Sequence, residues 1–125
     1  MAKNEKIKIL HMDNEEDTLV SVKAILEKEG YEVTSVNSGK AAVKEVEADG
    51  FSLVLLDIMM PDLSGWDVFT RIMKVDPNVR VAFLTVLEIS PERKDDLRKH
   101  GVAEYILKPF ERNEFVAKIR SILKQ

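Results

Sequence analysis

Cysteine is missing from this 125-residue chain, which excludes disulfides, a thiol nucleophile and a thiolate metal site. Histidine is scarce. The two present, His11 and His100, have no ligand partners at metal spacing: His11 falls inside an apolar strand and reads as a packed, hydrogen-bonded core residue, while His100 near a helix end suits the negative pole of the dipole. No apolar run approaches the roughly 20 residues of a membrane span, and the opening "MAKNEKIKIL" lacks the apolar core of a signal peptide. A cytoplasmic location is the resulting expectation. Neither sign of charge dominates, with 19 Lys+Arg against 22 Asp+Glu and a net charge of −3. The basic residues are interleaved with acids, so no nucleic-acid surface is expected.

What is present is the composition of a soluble globular protein, 45% apolar and 33% charged. A chain of this length buries roughly two thirds of its unfolded surface. It fits one domain, residues 1–125, with no internal repeat, low-complexity segment or linker. Strand-length apolar segments alternate with helix-length segments, which is the pattern of repeated βα units. Five strands are predicted: Lys6 to Met12, Tyr31 to Val36, "FSLVLL" from Phe51, Val79 to Leu84, and Ala103 to Leu107. The nearly continuous third run places that strand at the centre of a parallel sheet.

Helical stripes fall between the strands. They are Leu19, Val22, Ile25 and Leu26, then Ala42, Val43 and Val46, then Val68, Phe69, Ile72 and Met73. Phe115, Val116, Ile119, Ile122 and Leu123 form the last. "SPERKDDLRKHG" starts a helix well, with Ser90 as N-cap and Pro91 at the first helical position. It offers the core almost only Leu97, so it should be the most loosely held of the five. Ser64 with Asp67 opens the third helix as a capping box would, and Gly65 is assigned to the turn there.

Right-handed crossovers turn such units into an open α/β sheet covered on both faces. Its ligand site lies at the carboxyl ends of the strands. Those ends carry Asp13 and Asn14, Asp57, Thr85, and Lys108. Two carboxylates, an amide, a hydroxyl and an ammonium suit phosphoryl transfer onto a carboxylate. Asp13 and Asp57 offer the hard oxygens that Mg2+ prefers. Asp57 would be the nucleophile, and Lys108 and Thr85 would hold phosphoryl oxygens.

"LVLLDIMMPDLSGWDV", "FLT" before Val86, and "EYILKPF" resemble the receiver domain of two-component response regulators, over essentially the whole chain and in the right order. The resemblance implies a flavodoxin-like (βα)5 fold of the chemotaxis-regulator type with strand order 2-1-3-4-5. It implies that Asp57 accepts a phosphoryl group from a histidine kinase or histidine phosphotransfer protein. Asp13 would belong to the Mg2+-binding acidic pair, the Met59 backbone carbonyl would be a further metal ligand, and Thr85 and Tyr105 would form the switch pair. Lys108 matches the family lysine, and the bond to Pro109 is expected to be cis, as only proline readily allows.

"HMDNEED" departs from the pattern at Asn14, where the family usually has a second acid. An amide oxygen can still coordinate Mg2+, but with one charge fewer, so weaker Mg2+ binding is expected. Asn14 is also placed as the cap of the first helix, with Glu15, Glu16 and Asp17 in its first turn. Val86 stands where a small residue is usual and narrows access to Asp57. Met59 and Leu87 flank the path of the hydrolytic water with apolar side chains, so a long-lived phosphorylated state is expected. Tyr105 reads equally well as a packing ring or as a mobile one.

The resulting expectation is a stand-alone, monomeric or weakly dimeric receiver. It is not an enzyme in its own right, although it assists its own phosphorylation and dephosphorylation. A downstream protein would read the surface of the fourth helix, fifth strand and fifth helix. Three alternatives stand beside it. Asn14 supports a phosphorylation-independent protein-interaction module. An aspartate-nucleophile phosphatase would want an acid at Met59. An FMN carrier would not put "MDNEED" where a phosphate must sit.

Overall fold

The computed structural model describes residues 6–124. Five strands and five helices alternate: β1 (Lys8–Met12), α1 (Glu16–Lys28), β2 (Glu32–Val36), α2 (Gly39–Ala48), β3 (Leu53–Leu56), α3 (Gly65–Val75), β4 (Arg80–Thr85), α4 (Pro91–Lys99), β5 (Val102–Leu107) and α5 (Arg112–Leu123). All neighbouring strands are parallel, in the order β2-β1-β3-β4-β5. This is the flavodoxin-like topology expected from the sequence. Only strand ends shift by one or two residues from the predicted spans.

Burial explains the order. All four residues of β3 are buried, as a strand covered on both faces requires. On one face Leu10, Met12, Val54, Leu56, Val81 and Phe83 meet Ala42 and Val46 of α2 and Val68 and Ile72 of α3. On the other, Ile9, Leu53, Leu55, Ala82 and Leu84 meet Val22 and Leu26 of α1 and Phe115 and Ile119 of α5. Ile9, Leu10, Met12 and Leu53 are among the side chains at 0% exposure, so truncating any of them to alanine falls in the range of about 2 to 5 kcal/mol.

α4 differs, as its sequence foretells. It buries no residue, and Ile89 and Leu97 reach the α2/α3 core only as partly buried side chains. Its remaining ties are polar: Arg98 lies 3.5 Å from Glu104 of β5, and the Arg93 guanidinium stands 5.9 Å from the centre of the Trp66 ring. The helix starts on Ser90, whose hydroxyl accepts from Arg93 N–H. It ends where His100 Nδ1 donates to the Asp96 carbonyl at 2.8 Å, and Gly101 follows at φ +100°, a left-handed cap that other residues resist.

α2 begins in a more elaborate way. Ser38 accepts from Ala41 N–H at 3.1 Å. The two preceding donors are taken by Asp62, from the loop after β3, with Gly39 N–H at 2.9 Å and Lys40 N–H at 3.1 Å. A carboxylate at the positive end of a helix is favoured, and these bonds hold the Asp62 carboxyl down at about 2. The same loop is pinned at its far end by Gly65. That residue has no unusual φ, so its role is close approach and not the turn assigned to it from sequence. A Cβ there would lie 2.5 Å from the Asp57 carbonyl oxygen and 2.7 Å from Ile58 Cα, and Gly65 N–H already donates to Ile58 O at 2.9 Å.

Two outcomes are expected. Asp62→Ala lowers stability by about 1 kcal/mol, the scale of a lost helix cap. Because the folded carboxyl sits at about 2 against an ordinary 3.8, its contribution is complete above about pH 4 and is lost as pH falls through about 2. The gap in urea midpoint between wild type and variant should therefore narrow over that window. Gly65→Ala is expected to destabilise by about 1 to 3 kcal/mol through overpacking and to move the Asp57 and Met59 amide resonances. A variant with wild-type melting temperature and unshifted resonances would show that the loop has room to spare.

Candidate functional site

The strand ladders run one residue past their ends and fix the backbone of the site. Asp13 N–H donates to Val36 O at 3.1 Å, Asp57 N–H to Met12 O at 3.1 Å, and Lys108 N–H to Thr85 O at 2.8 Å. Each of the three charged residues is thus tied to a neighbouring strand. The Lys108–Pro109 bond is cis, as expected.

The side chains converge on one ammonium. Lys108 Nζ donates to Asp13 Oδ2 at 2.8 Å and to Asp57 Oδ2 at 3.1 Å. Asp13 is fully buried and Asp57 is 5% exposed. The second oxygens are also engaged, Asp13 Oδ1 by Glu15 N–H at 2.9 Å and Asp57 Oδ1 by Met59 N–H at 3.2 Å. Burial pushes the Asp13 carboxyl up, but the neighbouring His11 ring, Lys108 and the Glu15 N–H outweigh it and hold the group at about 2. Burial pulls the Lys108 ammonium down, and its two carboxylates more than offset that, so its pKa is raised. Both partners are therefore charged at neutral pH.

Glu15 completes the cluster, and sequence reading missed it. Its Oε1 lies 3.5 Å from Lys108 Nζ. The residue is the N-cap of α1, with no side-chain bond to the helix. Asn14 is therefore not the cap: Asp13 already takes the Glu15 N–H, so the helix begins only at Glu16, and Asn14 is exposed at the mouth of the site. Of the three acids assigned to the first turn, Glu16 and Asp17 lie there and Glu15 does not.

Thr85 ends β4 fully buried, and its hydroxyl accepts from Leu87 N–H at 3.3 Å. Tyr105 is 7% exposed, its ring 6.1 Å from that of Phe83, and its hydroxyl donates to the Leu87 carbonyl. The two residues therefore hold the two sides of Leu87. Burial, with the Asp57 charge adding to it, pushes the Tyr105 phenol above its ordinary value against the pull of Arg93. Met59, Val86 and Leu87 are 57%, 56% and 37% exposed and form an apolar rim.

His11 departs from expectation. It is packed at 0% exposure, but neither ring nitrogen has a hydrogen-bond partner, and Nε2 comes no nearer than 3.7 Å to Asp13 Oδ2. Nothing in the local sequence marks such a residue, because a strand covered on both faces has no polar side for a histidine to point to.

The donor set suits a hard divalent cation. Among the described residues no group of three His, Cys, Asp or Glu is placed to ligate a metal together. Protein charge on such an ion would therefore come from Asp13 and Asp57, with neutral oxygens completing its shell. That is the arrangement Mg2+ accepts.

The response regulator receiver domain family model matches residues 9–120. Among curated proteins the chain is 39% identical over 121 residues to YkoG of Bacillus subtilis, an uncharacterised transcriptional regulatory protein. The alignment covers 97% of this chain and 53% of that one. It is 32% identical over 117 residues to the sensory transduction protein RegX3 of Mycolicibacterium smegmatis, covering 94% and 50%. The chain thus spans about half the length of the curated relatives it matches. Among solved structures, a CheY-like receiver domain protein of Methanospirillum hungatei aligns at TM-score 0.87 and 30% identity, covering 96% and 95% of the two chains. The response regulator TrrA of Thermotoga maritima, in complex with Mg2+-BeF, aligns at 0.80 and 30%, covering 93% and 98%. No described helix is long and apolar enough to cross a membrane. By sequence and fold together, the chain belongs to the response regulator receiver domains of two-component systems, signalling domains whose general function is phosphorylation-based switching.

Proposed function

We propose that Asp57 accepts a phosphoryl group from a phosphohistidine on a histidine kinase or phosphotransfer protein, with Mg2+, and that the modification switches a protein-binding surface. The observation that carries this reading is the convergence of Asp57 and Asp13 on Lys108, at 3.1 and 2.8 Å, at one edge of the sheet. Asp13, Asp57, the Met59 backbone carbonyl and the Asn14 amide oxygen would hold Mg2+. When bound, the ion neutralises charge on the incoming phosphoryl oxygens.

The chain's own residues supply the rest. An ionised Asp57 oxygen is the nucleophile, and Lys108 and the Met59 N–H fix the plane of its carboxylate before reaction. Three carboxylates around one ammonium leave two net negative charges, which favour a divalent cation over the bare phosphodonor. Transfer breaks the phosphorus–nitrogen bond of the donor and forms a phosphorus–oxygen bond to Asp57, so Lys108 gains phosphoryl oxygens in place of the Asp57 charge. The Thr85 hydroxyl accepts from Leu87 N–H, which leaves its own proton free to be donated to the phosphoryl group.

That donation pulls on Leu87, whose carbonyl carries the Tyr105 hydroxyl. Because α4 has no fully buried residue, the segment between β4 and α4 can change conformation at low cost. Phosphorylation then shifts the population of the α4, β5 and α5 surface. A groove on that surface lined by Lys94, Tyr105, Phe110 and Lys118 is the face a downstream protein would read. The curated relatives are transcriptional regulatory and sensory transduction proteins, which points to transcription as the output. Asn14 favours the second reading, a module that binds its partner without phosphorylation.

Incubation with Mg2+ and acetyl phosphate separates the two. Intact mass should gain one phosphoryl increment on the native chain and none on Asp57→Ala. Asn14→Asp should lower the Mg2+ needed by about tenfold, the equivalent of ~1.4 kcal/mol. No increment at any Mg2+ concentration would select the phosphorylation-independent module. Once formed, the acyl phosphate should decay slowly, since Met59 and Leu87 give water no hydrogen-bond partner. Met59→Asn with Leu87→Glu should speed decay by about tenfold, one good interaction with the attacking water; an unchanged half-life in the double variant would count against that account.

A further inference from the structure

His11 occupies β1 two residues before Asp13, on the face that packs under α1 and α5 with Ile9. Its flanking residues Ile9, Leu10 and Met12 are apolar and fully buried, as His11 itself is. Neither ring nitrogen has a hydrogen-bond partner, and the Oγ of Ser35, its register partner on β2, has none either. A buried donor or acceptor left unsatisfied is destabilising. An aliphatic side chain would fill the same place without desolvating anything. The imidazole therefore brings nothing to the packing of this sheet that leucine would not.

What it does bring is a polar edge facing the site. Nε2 lies 3.7 Å from Asp13 Oδ2, and the same oxygen accepts from Lys108 at 2.8 Å. A shift of about 0.7 Å, from 3.7 Å to the ~3.0 Å of an ordinary hydrogen bond, would join the ring to the carboxylate. Bonds of this kind commonly tighten when a site is loaded.

We propose that His11 is a positioning residue: its Nε2–H holds Asp13 Oδ2 from within the sheet, so that the carboxylate keeps its orientation when a divalent cation engages it. The role is that of a second-layer partner of a metal ligand. Loss of such partners typically weakens metal binding by about 10- to 100-fold. This rests on the Mg2+ reading above, and it makes stability and function move in opposite directions.

The test compares wild type, His11→Leu and His11→Gln as full chains. Mg2+ is titrated against the emission of Trp66, the only tryptophan, which adjoins the Gly65 contact to Asp57 and Ile58. Melting temperatures are read in parallel without Mg2+. His11→Leu should melt about 3 to 6 °C higher, as expected for a domain of this size on removal of an unsatisfied buried group, and bind Mg2+ about tenfold more weakly. His11→Gln, which keeps an N–H donor, should stay within about threefold of wild type. A leucine variant that binds Mg2+ like wild type overturns the proposal, and so does one that fails to fold, since either makes the ring a packing group. Glutamine behaving like leucine overturns it as well. Absence of Mg2+ binding by wild type itself would remove the cation reading, and the positioning role with it, a result distinct from equal binding by all three chains.

Discussion

A single ammonium lies between two buried carboxylates, and much of the architecture can be read as the means of keeping it there. Asp13 and Asp57 approach one charge at 2.8 and 3.1 Å. Taken out of water without Lys108, they would repel each other at close range in a medium that screens poorly. One would then take up a proton, as paired carboxylates do, and the site would lose one of its two negative charges. Removing one partner of a buried pair typically costs about 3 to 5 kcal/mol. The three residues directly follow β1, β3 and β5, so their geometry is only as good as the sheet register. The backbone bonds that continue past the strand ends make that register rigid where it matters.

Rigidity ends at β4. Beyond Thr85 the chain enters a segment held by two side chains on one residue, Leu87, and then a helix with no buried residue. The contrast with α1, α2, α3 and α5, each of which buries three or more residues, sets a gradient of local stability across one small domain. On the function proposed above, chemistry sits at the stiff end of the gradient and the surface to be read at the soft end. Leu87 joins them, since its N–H belongs to Thr85 and its carbonyl to Tyr105. A change of partner at the Thr85 hydroxyl therefore reaches Tyr105 through one residue, without needing a long pathway.

The sequence makes most of this legible, for a definite reason. Continuous apolar runs mark buried parallel strands, and polar residues that interrupt such runs at their carboxyl ends stand out, as Asp13, Asp57, Thr85 and Lys108 do. The central place of β3 and the looseness of α4 follow from the same pattern, whereas the full strand order rests on the family resemblance. What could not be read depended on side-chain reach or on contacts between distant segments. Glu15 finds Lys108 across 93 residues of chain, and nothing local distinguishes it from the other acids of "NEED". Asn14 has the chemistry of a cap but lost the position because the Asp13 side chain reached the Glu15 N–H first. Gly65 has the look of a turn residue, yet it is there because the backbone of Asp57 and Ile58, just past β3, leaves no room for a Cβ. Asp62 caps a helix that precedes it in sequence, which no window along the chain detects.

These misses share a cause that bears on how the site is built. Three of them, Asp62, Gly65 and Glu15, concern contacts with another part of the chain, and each tightens the carboxyl edge of the sheet: Asp62 and Gly65 on the loop after Asp57, Glu15 on the approach to Lys108. The sheet interior can be specified by hydrophobicity alone, because one aliphatic side chain serves nearly as well as another of similar volume. The edge cannot, because a buried charge tolerates no substitute for its partner. A receiver therefore tolerates wide variation in its core while its edge is determined atom by atom. An unpartnered histidine in the buried part of β1, where any aliphatic residue would pack, belongs by this logic to the edge and not to the core.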